Sequence, residues 1–270
     1  MRNIKLTIEY DGRDFNGWQK QPNKLNIQGE IEKAISTITK EEVELNASGR
    51  TDAGVHALGQ VANFKTNSEM ELDRFVLALN ANLKKSIVIK KAEEVSEDFH
   101  ARYNCKEKTY RYIIDNSQTG SAIYRYLEYH IPQKLNFEKM QEAIKHFEGT
   151  HDFKAFKASG TSSKSSVRTI YKANIEKKDE KIIIELTGNG FLYNMVRIIS
   201  GTLVDVGLRK NETRRNTRNN RRRKSSKSRK DFATTCIVSS KCEVWLKKWL
   251  GLFQSFFFWN EQNRPNRFIF

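Results

Sequence analysis

TIYKANI (Thr169–Ile175) and KIIIEL (Lys181–Leu186), separated by the charged run EKKDE (Glu176–Glu180), decide the fold class of this chain. Two β-branched, apolar-rich segments with a short polar link between them read as a hairpin, and a hairpin means neighbouring antiparallel strands. Upstream, Lys108–Asp115 alternates with period two: Tyr110, Tyr112 and Ile114 share one face, Arg111 and Ile113 the other. Between these strands, Phe137, Met140, Ile144 and Phe147 form a helical stripe, and Phe191–Val206 reads as a second helix in this half.

Nearer the N-terminus, Ile4, Leu6 and Ile8 alternate with polar residues as in a half-buried strand, and a turn follows at Asp11–Gly12. Ile27, Ile31, Ala34, Ile35 and Ile38 recur at helical spacing, with Asn26 as the cap and Glu30 and Glu32 in the early turns. Val61–Lys65 reads as a strand, Phe75, Leu77, Leu79 and Leu83 as a helix, and Ile87–Lys91 as a further strand. Hairpins and helix-linked strands together give an α+β fold, with a mixed, mainly antiparallel sheet covered by helices on one face. The polar, small-residue segment Asp115–Ser121 marks a boundary between two halves, 1–115 and 116–208.

The chain has 270 residues and a formal charge of +16. That length allows one large or two modest domains, at roughly 100 to 200 residues each. Three cysteines, Cys105, Cys236 and Cys242, form no C-x-x-C pair, so neither a disulfide scaffold nor a zinc site is indicated, and a reducing, cytoplasmic setting fits. No stretch approaches the roughly 18 uninterrupted apolar residues of a membrane span. The charge is concentrated. Arg209–Lys230 holds twelve Lys and Arg against one acid, Glu212, and supplies +11 of the +16. The remaining +5 must make its own case for a nucleic-acid partner.

ASGRTDAGVH (Ala47–His56) reads as a loop in which Gly49 and Gly54 bracket Arg50, Thr51 and Asp52. Asp52 there is either a nucleophile or general base kept ionised by Arg50, or a turn or cap residue; the spacing leaves both open. Tyr110 and Tyr112 stand among Lys106, Lys108 and Arg111, which suits a surface for an unstacked base, though alternating Tyr and Ile also describes a half-buried core strand. Arg197 lies inside the apolar run Met195–Ile199, where a cation either snorkels to water or pairs with a carboxylate, Asp52 being the sharper candidate. His56, His100, His130, His146 and His151 form no metal-like pair, and no dinucleotide or Walker loop occurs.

In order along the chain, YDGRDFNGWQ (Tyr10–Gln19), IQGEIE (Ile27–Glu32), SGRTDAGVHA (Ser48–Ala57), FHARY (Phe99–Tyr103), KTYRY (Lys108–Tyr112), HDF (His151–Phe153) and GNGFLYNMVR (Gly188–Arg197) resemble the tRNA pseudouridine synthase A family from Ile4 to about Leu208. The resemblance implies a two-domain pseudouridine synthase fold that isomerises uridine to pseudouridine in the anticodon stem-loop of tRNA, near positions 38 to 40. It implies no metal or organic cofactor and a cytoplasmic homodimer. By the same resemblance Asp52 is the catalytic aspartate, Tyr110 stacks on the target uracil, Arg50 assists base flipping, and Arg197 partners the aspartate. The competing reading is a noncatalytic or degenerate tRNA-binding protein inactivated by its altered C-terminus.

After Leu208 the family pattern stops. Read from the second base of each codon, Lys230–Trp245 can encode KTLPPHALYLVNVKYG, close to the family's final strand, and Lys210–Arg223 can encode KMKPEEIPEIIEEG. The expectation is that residues 209–270 are a frame-displaced, disordered tail whose basic tract and aromatic ending, with Phe256, Phe257, Phe258 and Trp259, are products of the frame. Loss of the family's last strand would then leave the sheet short of a partner and the chain poorly stable. A basic RNA-binding arm is the rival; the nucleotide sequence around codon 210 decides between them, and a gene with no family-like ending in the displaced frame rules the frameshift out.

Overall fold

The computed structural model describes residues 1–160 and 165–208, together with the backbone of 237–244. In chain order the elements are β1 (Arg2–Tyr10), α1 (Ile27–Thr39), β2 (Asn46–Ala47), β3 (His56–Thr66), α2 (Leu72–Asn82), β4 (Ile87–Val95), β5 (Cys105–Asp115), β6 (Tyr129–His130), α3 (Phe137–Ile144), β7 (Gly149–Asp152), β8 (Val167–Lys178), β9 (Lys181–Gly188), α4 (Met195–Leu208) and β10 (Ile237–Val244). The strands join one sheet in the order β4-β1-β3-β10-β5-β9-β8-β7, with β2 added to β3 and β6 to β5. Among the described strands only β3–β10 and β5–β6 are parallel, so the sheet is mixed and mainly antiparallel, as the hairpin pattern requires.

The deciding hairpin is tighter than its charge pattern suggests. Lys178 pairs with Lys181, so Glu176, Lys177 and Lys178 belong to β8 and the turn is Asp179–Glu180. Asp179 takes a φ of +53°, a left-handed conformation that a short polar side chain tolerates. At α1, Asn26 is extended and its side-chain oxygen accepts the Gly29 N–H at 2.8 Å, while Lys40, at φ +61°, ends the helix. The predicted α2 stripe is only half right: Phe75 and Leu79 are fully buried, whereas Leu77 faces solvent. Each buried side chain of that size contributes about 1.5 to 3 kcal/mol. The second helix of the C-terminal half begins at Met195 rather than Phe191, because Asn194 is left-handed at φ +57° and interrupts the helical path.

Two cores share the sheet. Ile4, Leu6 and Ile8 of β1 meet α1 and α2 in the first; Tyr112 and Ile114 of β5 meet α3, α4, β8 and β9 in the second. β5 therefore packs with the second core, to which Val55 of the N-terminal part also belongs.

The basic tract and the aromatic ending of the frame-displaced reading lie outside the described residues. Ile237–Val244 does not fit the expectation of a disordered tail, nor that of an empty position in the sheet. It pairs antiparallel with β5 from Ile237↔Tyr112 to Val244↔Cys105 and parallel with β3 at Val238↔His56 and Ser239↔Ala57. A strand needs only compatible backbone geometry to fill a gap between two open edges.

Candidate active site

The loop carrying Asp52 is held from three sides. β2 pairs Asn46 and Ala47 with Asn63 and Ala62, fixing its entry, and the Gln60 side-chain amide donates to the Gly49 carbonyl. The chain after β1 forms its floor. The Tyr10 hydroxyl and Thr51 Oγ1 are hydrogen-bonded at 2.7 Å, and the Trp18 N–H donates to the Thr51 carbonyl at 3.0 Å. Contact is too close for side chains at two places: a Cβ on Gly12 would lie 2.0 Å from the Val55 carbonyl oxygen, and one on Gly17 would lie 2.6 Å from that of Thr51. Gly17 also needs its φ of +83°. At the loop's exit Val55 enters the second core while Ala57 enters the first, so the loop ties the two halves together.

This bracing presents Asp52, half-buried, to a cleft of about 1010 Å³. Tyr110, Lys108, Arg50, Phe191 and Asn194 also line it. Opposite the loop, α4 points its N-terminus at the carboxylate: the Asn194 backbone N–H donates to Asp52, and Arg197, in the first turn of α4, adds its positive charge. Burial works the other way and dominates, raising the Asp52 pKa above its usual 3.8, against the lowering by Asn194 and Arg197. The sequence reading, in which an arginine simply keeps the carboxylate ionised, omitted this desolvation. It also assigned the role to Arg50 as well as Arg197. Arg50 is exposed at the cleft, and the guanidinium acting on Asp52 is that of Arg197.

Tyr110 packs against the second core and also lines the cleft. Tyr112 and Ile114 are fully buried core, whereas Tyr110, on the same face, reaches the cleft and meets the Phe191 ring edge-on at 5.0 Å between centroids. His56, read as an ordinary histidine, is buried with Nδ1 3.2 Å from Asp11 Oδ1. Among the described residues no group of three or more His, Cys, Asp or Glu side chains is placed to hold a metal ion, and no helix is long and apolar enough to cross a membrane.

Residues 6–104 and 143–236 match the family model described as tRNA pseudouridine synthase. The chain belongs to the tRNA pseudouridine synthase family. It is 57% identical over 210 residues to tRNA pseudouridine synthase A of Acetivibrio thermocellus, covering 78% of this chain and 86% of that relative. It is 55% identical over 207 residues to tRNA pseudouridine synthase A 2 of Clostridium perfringens, covering 77% and 85%. A solved archaeal box H/ACA sRNP Nop10-Cbf5 complex aligns more loosely, with 14% identity and a TM-score of 0.34 over 74% of this chain and 44% of that chain.

Within this family member, the residues missed in the sequence are those that brace the loop: Tyr10, Gly17, Trp18 and the Asn194 N–H. The stretch Tyr10–Gln19 was read as a family motif and a turn, but its two glycines five residues apart ahead of a tryptophan were not read as a brace for the Asp52 loop.

The raised pKa of Asp52 has a stability consequence with a definite sign. The unfolded chain releases the Asp52 proton first, so between the unfolded and folded pKa values the unfolded state holds fewer protons and stability falls as pH rises. Asp52→Asn removes that penalty. The variant is expected to melt above the wild type at pH 7, with the gap closing as pH is lowered towards 3.8. Calorimetry across that range checks it; a variant less stable than wild type at pH 7 contradicts it.

Proposed function

We propose that this chain isomerises uridine to pseudouridine in the anticodon arm of tRNA, with Asp52 as the catalytic carboxylate. The observation that carries the reading is the facing of Asp52 and Tyr110 across one polar cleft, the first braced by the N-terminal half and the second fixed on β5 of the C-terminal half. The target nucleotide leaves its stack and lays its uracil on the Tyr110 ring, while Arg50, exposed at the cleft, assists the flipping. Asp52 then acts on the ribose, either bonding to C1′ or taking a proton from C2′. The N1–C1′ bond breaks, the free uracil turns, C5 bonds to C1′, and the C5 proton leaves to water while N1 gains one. Both routes need Asp52 as the anion, so activity is lost as pH falls through its raised pKa.

Arg197 and the Asn194 N–H hold the carboxylate in place and favour its charged form against the cost of burial. Homodimer assembly rests on the family resemblance alone, and a cytoplasmic setting on that resemblance and the cysteine pattern. The degenerate, noncatalytic reading is not favoured, because the chain matches relatives named tRNA pseudouridine synthase A over about 85% of their length.

Substitution of Tyr110 tests base capture. Tyr110→Phe keeps the ring and should keep activity within about fivefold, whereas Tyr110→Ala removes a stacking platform worth about 1 to 3 kcal/mol per base and should lose roughly ten- to a hundredfold in kcat/KM. Tritium release from tRNA containing 5-tritiated uridine is the readout. Equal losses in the two variants would mean the ring is not what matters.

A further inference from the structure

The cleft holds a cation that isomerisation itself does not use. Lys108 lies two residues before Tyr110 on β5, so the two side chains stand on the same face of the strand, about 6.6 Å apart along it, and both line the cleft. The Lys108 side chain crosses over Gly49: a methyl group on that glycine would sit 2.8 Å from Nζ and 3.3 Å from Cε. Its ammonium is thereby delivered to the loop that carries Arg50 and Asp52.

Several other cations on this sheet meet carboxylates, as Arg111 of the same strand does with Glu185 at 3.0 Å and Lys5 with Glu93 at 2.7 Å. Lys108 is half-buried, and among the described residues no carboxylate pairs with it. An ammonium beside a ligand site with no carboxylate partner is well placed to meet an anion that arrives with the ligand. Uracil and ribose are neutral, so the anion that a polynucleotide brings within one nucleotide's length of a stacked base is its phosphodiester.

We propose that Lys108 is a phosphate-binding residue, holding the phosphodiester that adjoins the nucleoside stacked on Tyr110. The assignment rests on the cleft accepting an extruded nucleotide. It also gives Gly49 a purpose, since a side chain there would push the ammonium out of the position it now occupies.

The test uses the 270-residue chain and an unmodified tRNA transcript, with affinity measured against potassium chloride concentration. Lys108→Met should bind about tenfold more weakly at low salt and should flatten the slope of log K against log salt by about 0.7 to 0.9, the loss of one phosphate contact. Lys108→Arg should keep the wild-type slope. Melting temperatures within about 2 °C of wild type would show that the fold is not the cause. An unchanged slope in Lys108→Met overturns the proposal. Anticodon stem-loop RNAs with a single neutral methylphosphonate 5′ or 3′ to the target uridine locate the contact: one of them should weaken the wild type and leave Lys108→Met unaffected, and equal weakening of both proteins overturns it too. All of these measurements are repeated with Asp52→Asn. Because they read binding without turnover, failure of the phosphate site and failure of the catalytic reading give separate results.

Discussion

Removal of residues 209–270 is expected to abolish cooperative folding. β10 is the only strand that lies between the two halves of the described sheet: it makes seven register pairs with β5 and two with β3. A net 0.5 to 1.5 kcal/mol per hydrogen bond, taken over several such bonds, approaches the roughly 5 to 15 kcal/mol that separates folded from unfolded chains of this kind. The loss also exposes the β3 and β5 edges, whose backbone groups then have no partner except water or another chain. Asp52 enters the cleft from the β3 side and Tyr110 stands on β5, so the distance between them depends on the strand inserted between those edges. The truncated chain should show a broad, low-temperature melt and rapid hydrogen exchange along β5. A transition within about 2 °C of the full chain would contradict this role for Ile237–Val244.

This dependence was only partly legible in the sequence. Alternation exposed β1, β5, β8 and β9, because a strand with one buried face writes that face at every second position. The helical stripes of α1 and α3 were equally plain. Ile237–Val244 was not recognised as a strand, since the last family motif read ends at Arg197 and the residues there follow another pattern. Pairing between edges depends on the backbone, which any sequence without proline can supply.

The residues that meet around the cleft could be picked out singly but not in their assembly. Asp52, Tyr110, Arg50 and Arg197 could each be named, but the hydrogen bond from Tyr10 to Thr51 spans 41 positions, and nothing local to either residue announces it. Nor could spacing reveal that burial would oppose Arg197 and raise the Asp52 pKa. Such a shift depends on how much water the folded cleft removes, a property of both halves together.

Asp52→Asn carries the other large expected effect. The amide matches the carboxylate in size, so the loop bracing at Tyr10, Trp18 and Gly17 should be undisturbed and tRNA affinity should stay within about twofold. What disappears is the negative oxygen that must act at the ribose, and loss of a principal catalytic group costs roughly four orders of magnitude or more. Greater thermal stability with lost activity would show that the carboxylate is held there for chemistry at some expense to the fold.

The most direct measurement is single-turnover tritium release from a tRNA transcript containing 5-tritiated uridine, comparing the 270-residue chain with its Asp52→Asn variant at equal bound fraction. The expected result is release at the modified uridines by the wild type and none above background by the variant. Release by the variant at the wild-type rate would remove Asp52 from the mechanism.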